Sequence, residues 1–112
     1  MFGILGGIGP HPEDVLMMKR TADRLFGNEY HWSVLGAGRN QMPVAAQAAA
    51  MGGNVRVGME DSLWAGPGRL AQSNAEQVAN VRKIIEGLGL EIASSADARE
   101  VLKLKGGDKV AF

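Results

Sequence analysis

Three absences limit what this 112-residue sequence can be. It has no cysteine, which excludes disulfide bonds and thiolate metal ligands and is compatible with the cytoplasmic location that we expect. It has no excess of either charge, because 12 lysine and arginine residues balance 12 aspartate and glutamate residues. That balance argues against a nucleic-acid-binding surface and against a polybasic membrane patch.

The sequence also lacks a long hydrophobic run. Its longest apolar stretch, residues 43–51, is far shorter than the roughly 20 residues that a membrane span needs. The opening residues, MFGILGGIG, lack the basic segment and small-residue cleavage site of a secretory leader. What is present, 46% hydrophobic and 21% charged residues, is the composition of a globular protein.

Apolar runs and glycine or proline breaks divide the chain into alternating strands and helices. Short strands are predicted at residues 2–5, 32–35 and 54–59, and each is followed by a helical pattern. Such alternation is typical of parallel β-α-β units. Three parallel strands make a poor independent sheet, because parallel sheets normally need both faces covered. We therefore expect residues 1–112 to form one partial α/β domain, the last part of a larger fold, with a small complete α/β domain as the alternative.

Proline and polar residues mark the starts of the longer helices. Pro12 suits the first position of the first helix, and Pro43 opens the second. Ser73 and Glu76 have the spacing of a capping box ahead of the third helix. The buried stripe of that helix is predicted at four apolar positions with helical spacing: Val78, Val81, Ile85 and Leu88. A short last helix is predicted at residues 96–102.

The third predicted strand carries opposite charges on one face. In GGNVRVGMEDSLW, residues 52–64, strand alternation places Arg56, Gly58 and Glu60 on the same side. Glu60 falls at the carboxyl end of the strand, where α/β folds place their chemistry, and Arg56 lies about 13 Å lower. Because Gly58 has no side chain between them, the guanidinium can extend toward the carboxylates of Glu60 and Asp61.

Two interpretations of these charges are open from the pattern alone. In a catalytic interpretation, Arg56 holds one carboxylate ionised and oriented, while the other binds a metal or substrate. In a structural interpretation, Arg56 and Glu60 form an ion pair that stabilises the strand end.

The glycine-rich stretch GAGRNQ, residues 36–41, also has two interpretations. Backbone amides ahead of a helix, with Arg39 beside them, can hold a phosphate or the acyl end of a carrier. Glycines are equally expected where a strand turns sharply into a helix, and we favour the turn.

Four segments together resemble one enzyme family. WSVLGAGRNQ, GGNVRVGMEDSLW, LAQSNAEQV and GLEIASSADAREVL are similar, in this order, to the carboxyl-terminal part of the β-keto acid cleavage enzymes. The type member of that family is the 3-keto-5-aminohexanoate cleavage enzyme of lysine fermentation. The resemblance covers essentially the whole chain. It implies the carboxyl-terminal three βα units of a (β/α)8 TIM barrel, with the amino-terminal barrel strands absent.

The resemblance further implies a reaction and a set of site residues. Enzymes of this family use a divalent metal, usually zinc, and condense a β-keto acid with acetyl-CoA to give acetoacetate and a new acyl-CoA. On the matching motif, Glu60 is implied as a zinc ligand, Asp61 as the base, and Arg56 as the partner of Asp61. The GAGRNQ loop, rather than the resemblance, gives Arg39 as a weaker candidate for contact with the substrate or CoA. A homo-oligomeric full-length form is also expected, without nucleic-acid or membrane partners.

The sequence departs from the family at the metal site. The family completes its zinc site with a His-x-His pair, which this chain lacks. His11 and His31 do not have ligand spacing, and we interpret both as surface residues. In addition, Ser62 stands where the family usually has asparagine, a change that bears on substrate choice.

From this departure we expect the chain to be inactive alone. Two other functions are open from the sequence. One is a small anion-binding α/β module that uses GAGRNQ. The other is a non-catalytic fragment that needs a partner chain to supply the missing strands.

Overall fold

Helices flank short strands in the computed structural model, which describes residues 1–110. The end of the predicted 1–112 domain, residues 111–112, lies outside the described residues. Short 3₁₀ helices lie at Gly38–Asn40 and Gly107–Lys109. The four α-helices are α1 (Pro12–Phe26), α2 (Gln41–Ala50), α3 (Asn74–Gly87) and α4 (Ser95–Val101).

The central strands are parallel, as the alternation predicted. Strand β1 (Ser33–Val34) pairs with β2 (Asn54–Val55), and α2 lies between them in the chain. Phe2 extends this pairing on β1, since its backbone nitrogen donates to the carbonyl of Leu35 at 3.0 Å and it forms a parallel bridge to Gly36. The predicted α/β class with parallel strands is therefore confirmed.

The predicted first strand, residues 2–5, is wrong beyond Phe2. Gly3 and Gly6 adopt φ angles of 79° and 81°, in the left-handed region that a continuous strand does not use. The chain consequently turns back, so that Phe2 also bridges Ile8, and Leu5 is fully exposed.

A short antiparallel hairpin follows the parallel pair, and the alternation did not predict it. Strand β3 (Trp64–Gly66) pairs with β4 (Arg69–Leu70) across a turn at Pro67 and Gly68. Gly68 has a φ of 69°, which glycine adopts without steric cost.

The core lies where α1, α2 and the parallel strands meet. Helix α2 is built from small side chains, and Val44 and Ala48 are fully buried. At Gly36 a Cβ would lie 2.6 Å from the carbonyl oxygen of Asn40, so the turn from β1 into α2 requires glycine. Small residues thus let this helix approach the strands closely. The buried core cluster is Phe2, Val15, Val34, Val44 and Ala48.

The helix starts follow the sequence signals in part. Helix α1 begins at Pro12 as predicted, and α4 begins one residue before its predicted start. Helix α2 begins at Gln41, two residues before Pro43. No helix of the described residues is long and apolar enough to cross a membrane.

Helix α3 differs from its prediction in two respects. The hydroxyl of Ser73 accepts from the backbone nitrogen of Glu76 at 3.2 Å, but the Glu76 carboxylate accepts from Gln72, so the predicted capping box is only half formed. Of the predicted buried stripe, Val81 is buried, whereas Val78 and Leu88 are about half exposed. The helix packs against α2 and β3, and within residues 1–110 this packing leaves Val78 and Leu88 largely uncovered.

Candidate active site

The acidic residues lie in a turn at the end of β2. The β2 pairing ends at Val55, with one more bond from the Arg56 nitrogen to the Val34 carbonyl at 2.8 Å. The backbone nitrogens of Asp61 and Ser62 then donate to the carbonyl of Gly58, at 3.2 and 3.1 Å. The predicted strand 54–59 is therefore too long, because the chain turns at Gly58. The turn still places the acidic residues beyond the carboxyl end of β2.

Arg56 contacts both carboxylates. Its Nη2 pairs with Oε2 of Glu60, and its Nε lies 3.2 Å from Oδ2 of Asp61. The Glu60 side chain is 82% exposed, whereas that of Asp61 is 9% exposed. The structure therefore brings together the three residues that the sequence selected, and it buries only Asp61.

The two ion pairs differ in kind. The Arg56–Glu60 pair includes a hydrogen bond between exposed side chains. The Arg56–Asp61 contact is electrostatic, because Oδ2 of Asp61 is buried and accepts no hydrogen bond within residues 1–110. Exposed ion pairs typically contribute about 0–1 kcal/mol to stability, so the outer pair adds little to the fold. The carboxylate of Asp61 is thus the more sheltered of the two.

Three amide side chains hold this turn, and the sequence analysis missed all of them. The backbone nitrogen of Gly58 donates to Oε1 of Gln41 at 2.8 Å. The nitrogen of Met59 donates to Oδ1 of Asn74 at 2.7 Å. Gln77 donates through Nε2 to the carbonyls of Ser62 and Trp64, at 3.1 and 2.9 Å. One signal could have found Gln77, because it lies four residues before buried Val81, on the same face of α3.

The GAGRNQ loop forms a turn whose amides are largely used within the chain. Backbone nitrogens of Ala37, Gly38 and Asn40 donate to the carbonyls of Phe2, Asp61 and Ala37, respectively. These bonds favour the turn interpretation over an anion-binding loop. Arg39 is exposed and lines a cavity of about 470 Å³ between this loop and the β3–β4 hairpin. The other lining residues are Gly38, Gln41, Met42 and residues 64–68.

Comparison with known proteins places the sequence of this chain in one family. The sequence profile of the beta-keto acid cleavage enzymes matches residues 1–104. The chain belongs to this family. The resemblance drawn from the four sequence segments is thus confirmed.

Three relatives show how the chain compares with other β-keto acid cleavage enzymes. A 3,5-dioxohexanoate:acetyl-CoA acetone transferase of Paraburkholderia graminis is 61% identical over 112 residues, which are 100% of this chain and 36% of that protein. A 3-keto-5-aminohexanoate cleavage enzyme of Acetoanaerobium sticklandii is 36% identical over 91% of this chain and 36% of its own length. A 3-dehydrocarnitine:acetyl-CoA trimethylamine transferase of Rhizobium meliloti is 37% identical over 83% of this chain and 30% of its own length. The chain therefore spans about a third of the relatives that it matches.

The histidines of this β-keto acid cleavage enzyme chain lie apart from the acidic turn. His11 caps α1, where its Nδ1 accepts from the backbone nitrogen of Glu13 at 3.3 Å. His31 is exposed just before β1. Both are surface residues, as the sequence predicted. Among residues 1–110, no cluster of three or more histidine or acidic side chains could hold a metal ion. The residues present do not fit a zinc site by themselves.

Proposed function

We propose that this chain contributes Arg56, Glu60 and Asp61 to the active site of an enzyme that condenses a β-keto acid with acetyl-CoA. One observation carries the proposal: Arg56 pairs with both carboxylates of the turn after β2, in a chain of the β-keto acid cleavage enzyme family. The names of two of the three relatives specify acetyl-CoA. The products are acetoacetate and a new acyl-CoA.

Asp61 is the proposed general base. Its carboxylate is almost buried and lies against the Arg56 guanidinium, which fixes its direction. An oriented carboxylate can remove the acidic proton from C2 of a β-keto acid, and such a group typically contributes about 10²–10⁴-fold to the rate. Arg56 is the proposed positioning residue of this pair, because its planar fork contacts both neighbouring carboxylates.

The remaining steps balance without any further reactant. The C2 carbanion attacks the thioester carbonyl of acetyl-CoA, so that a new carbon–carbon bond forms while the carbon–sulfur bond breaks and CoA leaves as its thiolate. The CoA sulfur then becomes bonded to C3 of the original keto acid, and the C2–C3 bond breaks. The carbanion that this cleavage leaves on C2 takes back the proton that Asp61 removed. Acetoacetate leaves with the original carboxylate, and the rest of the keto acid leaves as the acyl-CoA.

Glu60 is the proposed metal ligand of this chain. It is the more exposed of the two carboxylates, so one of its oxygens can face a group outside the described residues. A single carboxylate does not hold zinc, since protein zinc sites use three or four ligands. Any zinc site therefore needs ligands that residues 1–110 do not supply.

Fold and assembly follow the same proposal. We infer that residues 1–112 are the last three βα units of a (β/α)8 barrel, a partial domain whose other strands belong to the rest of a longer protein. The parallel β1–β2 pair and the 36% coverage of the transferase support this inference.

We propose a homo-oligomeric, cytoplasmic full-length enzyme with small-molecule substrates. Arg39, exposed beside the 470 Å³ cavity, is the proposed contact for substrate or CoA.

A chimera tests the function. This chain would replace the matching 36% of the Paraburkholderia graminis transferase, and acetoacetate release from 3,5-dioxohexanoate and acetyl-CoA would be measured. We expect the chimera to be active, an Arg56→Ala chimera to be much less active, and the 112-residue chain alone to be inactive. A chimera that melts cooperatively but releases no acetoacetate would support the non-catalytic alternative instead.

A further inference from the structure

Two side chains outside the charged cluster accept hydrogen bonds from the backbone of the acidic turn. We propose that Asn74 and Gln41 are positioning residues, which fix the backbone of residues 58–59 and so aim Glu60 and Asp61 at Arg56. The catalytic consequence of this inference rests on the proposed function, whereas its structural part does not.

The two contacts act on consecutive backbone amides. Oε1 of Gln41 accepts from Gly58 at 2.8 Å, and Oδ1 of Asn74 accepts from Met59 at 2.7 Å. Gln41 is the first residue of α2, and Asn74 is the first residue of α3. The amino-terminal ends of two helices therefore hold the peptide units directly before Glu60.

The far side of the acidic pair is held in the same way. Gln77 donates to the carbonyl of Ser62 at 3.1 Å, and the backbone nitrogen of Gly38 donates to the carbonyl of Asp61 at 2.8 Å. Backbone hydrogen bonds thus restrain the chain on both sides of Glu60 and Asp61. These bonds fix the directions in which the side chains of Glu60 and Asp61 leave the backbone, and only the side-chain torsions then remain free.

Packing alone does not explain why glutamine side chains are buried at positions 41 and 77. Gln41 and Gln77 are 2% and 0% exposed, yet Nε2 of Gln41 and Oε1 of Gln77 have no hydrogen-bond partner within residues 1–110. A buried polar group without a partner costs free energy, and an aliphatic side chain would fill the same space without that cost. The hydrogen bonds that the two glutamines form with the turn offset this cost.

The contact between Asn74 and the turn depends on the lack of a side chain at Gly58. A Cβ at Gly58 would lie 3.2 Å from Oδ1 of Asn74, which is tighter than ordinary van der Waals contact. The absence of a side chain at position 58 therefore lets Asn74 reach the neighbouring amide of Met59.

Hydrogen exchange in the chimera tests the structural part. Asn74→Ala removes the acceptor, so we expect the Met59 amide to exchange roughly tenfold faster, as for the loss of one hydrogen bond. Asn74→Asp keeps an oxygen at the same place and should preserve the protection. Asn80→Ala is the control, since Asn80 lies in the same helix and forms no side-chain hydrogen bond within residues 1–110. Unchanged Met59 exchange in Asn74→Ala, or an equal increase in Asn80→Ala, overturns the inference.

Kinetics in the chimera tests the catalytic part. We expect Asn74→Ala to lower kcat with little change in KM, because it misdirects Asp61 without removing a substrate contact. Asn74→Asp should restore kcat, and Asn80→Ala should leave it unchanged. An Asn74→Ala chimera with normal kcat, or one that Asn74→Asp fails to rescue, contradicts the positioning role. If the parent chimera is inactive, the proposed function fails, and the exchange experiment still decides whether Asn74 positions the turn.

Discussion

Nε of Arg56 lies 3.2 Å from Oδ2 of Asp61, while Nη2 of the same guanidinium pairs with Glu60. One planar cation thus spans a 9% exposed carboxylate and an 82% exposed one. The catalytic and structural interpretations of the sequence share this geometry. They predict different losses, of activity or of stability, when the arginine is replaced by another cation.

Arg56→Lys separates the two interpretations. Lysine keeps the positive charge but cannot contact both carboxylates with a rigid fork, so we expect kcat of the chimera to fall while its melting temperature changes little. Arg82→Lys is the control, because Arg82 makes a comparable Nε contact with Glu86 at 2.7 Å on the exposed side of α3. A variant that keeps full activity and melts at a lower temperature would favour the structural interpretation.

Features that depend on short segments were predictable from the sequence. Pro12 fixes the start of α1, because its ring suits a first helical position and needs no hydrogen-bond donor there. The members of the Arg56 cluster were also predictable, because alternation grouped Arg56 with Glu60, but their geometry was not, since the turn at Gly58 rather than a continuous strand brings them together.

Features that depend on distant contacts were not predictable. Asn74 lies 15 residues from Met59 in sequence, and nothing in the local pattern shows that the start of α3 reaches the end of β2. The contact made by Gln41 could not be predicted for the same reason. The sequence analysis grouped this residue with a glycine-rich turn. The first strand was overpredicted because the apolar run MFGILGG suits a strand locally, while Gly3 and Gly6 turn the chain back.

Gly53→Ala should destabilise the fold through the Trp32 ring. A Cβ at Gly53 would lie 2.6 Å from Cζ2 of Trp32, so the indole must shift or the chain must move. We expect a loss of about 1–3 kcal/mol, the usual effect of overpacking, in the free energy of unfolding of the chimera measured with urea. Gly87→Ala is the control, since a Cβ there meets nothing within 4 Å and alanine in a helix is favourable by up to about 1 kcal/mol. Equal stability of the Gly53 variant and the parent would show that this packing is loose.

Glu76 should make the stability of the chain depend on pH. The hydrogen bond from the Gln72 backbone, and then the one from Arg69, lower the pKa of Glu76 below its ordinary value of 4.5. A lowered folded-state pKa contributes stability that is present above 4.5 and is lost as the pH falls through the folded-state value.

Thermal melts of the parent chimera and of its Glu76→Gln variant would measure this effect. We expect the variant to melt at a lower temperature near neutral pH and the difference to shrink as the pH falls below 4.5. Glu91→Gln is the control, since Glu91 is exposed and forms no side-chain hydrogen bond among residues 1–110. A Glu76→Gln difference that stays constant from neutral to acidic pH would contradict the linkage.

Glu60 and Asp61 should have separate roles, although they are adjacent. Asp61→Asn keeps the shape of the nearly buried side chain and removes the proposed base, so chimera turnover should fall by roughly 10²–10⁴-fold. Its zinc content should not change, because Glu60 is intact. Glu60→Gln should instead lower the zinc content, since a neutral amide replaces the one exposed carboxylate that is proposed as a ligand.

Two measurements on the same chimera samples distinguish these roles: exchange of the C2 proton of the β-keto acid in deuterated water, and zinc by elemental analysis. Asp61→Asn should exchange slowly with its zinc retained, because proton removal is the step that the base performs. The matched control is Asp97→Asn, which changes a carboxylate at the start of α4 that caps its own helix. It should leave both measurements at the parent level. If Asp61→Asn exchanges the proton as fast as the parent with its zinc retained, Asp61 is not the base, and if Glu60→Gln keeps its zinc, Glu60 is not a ligand.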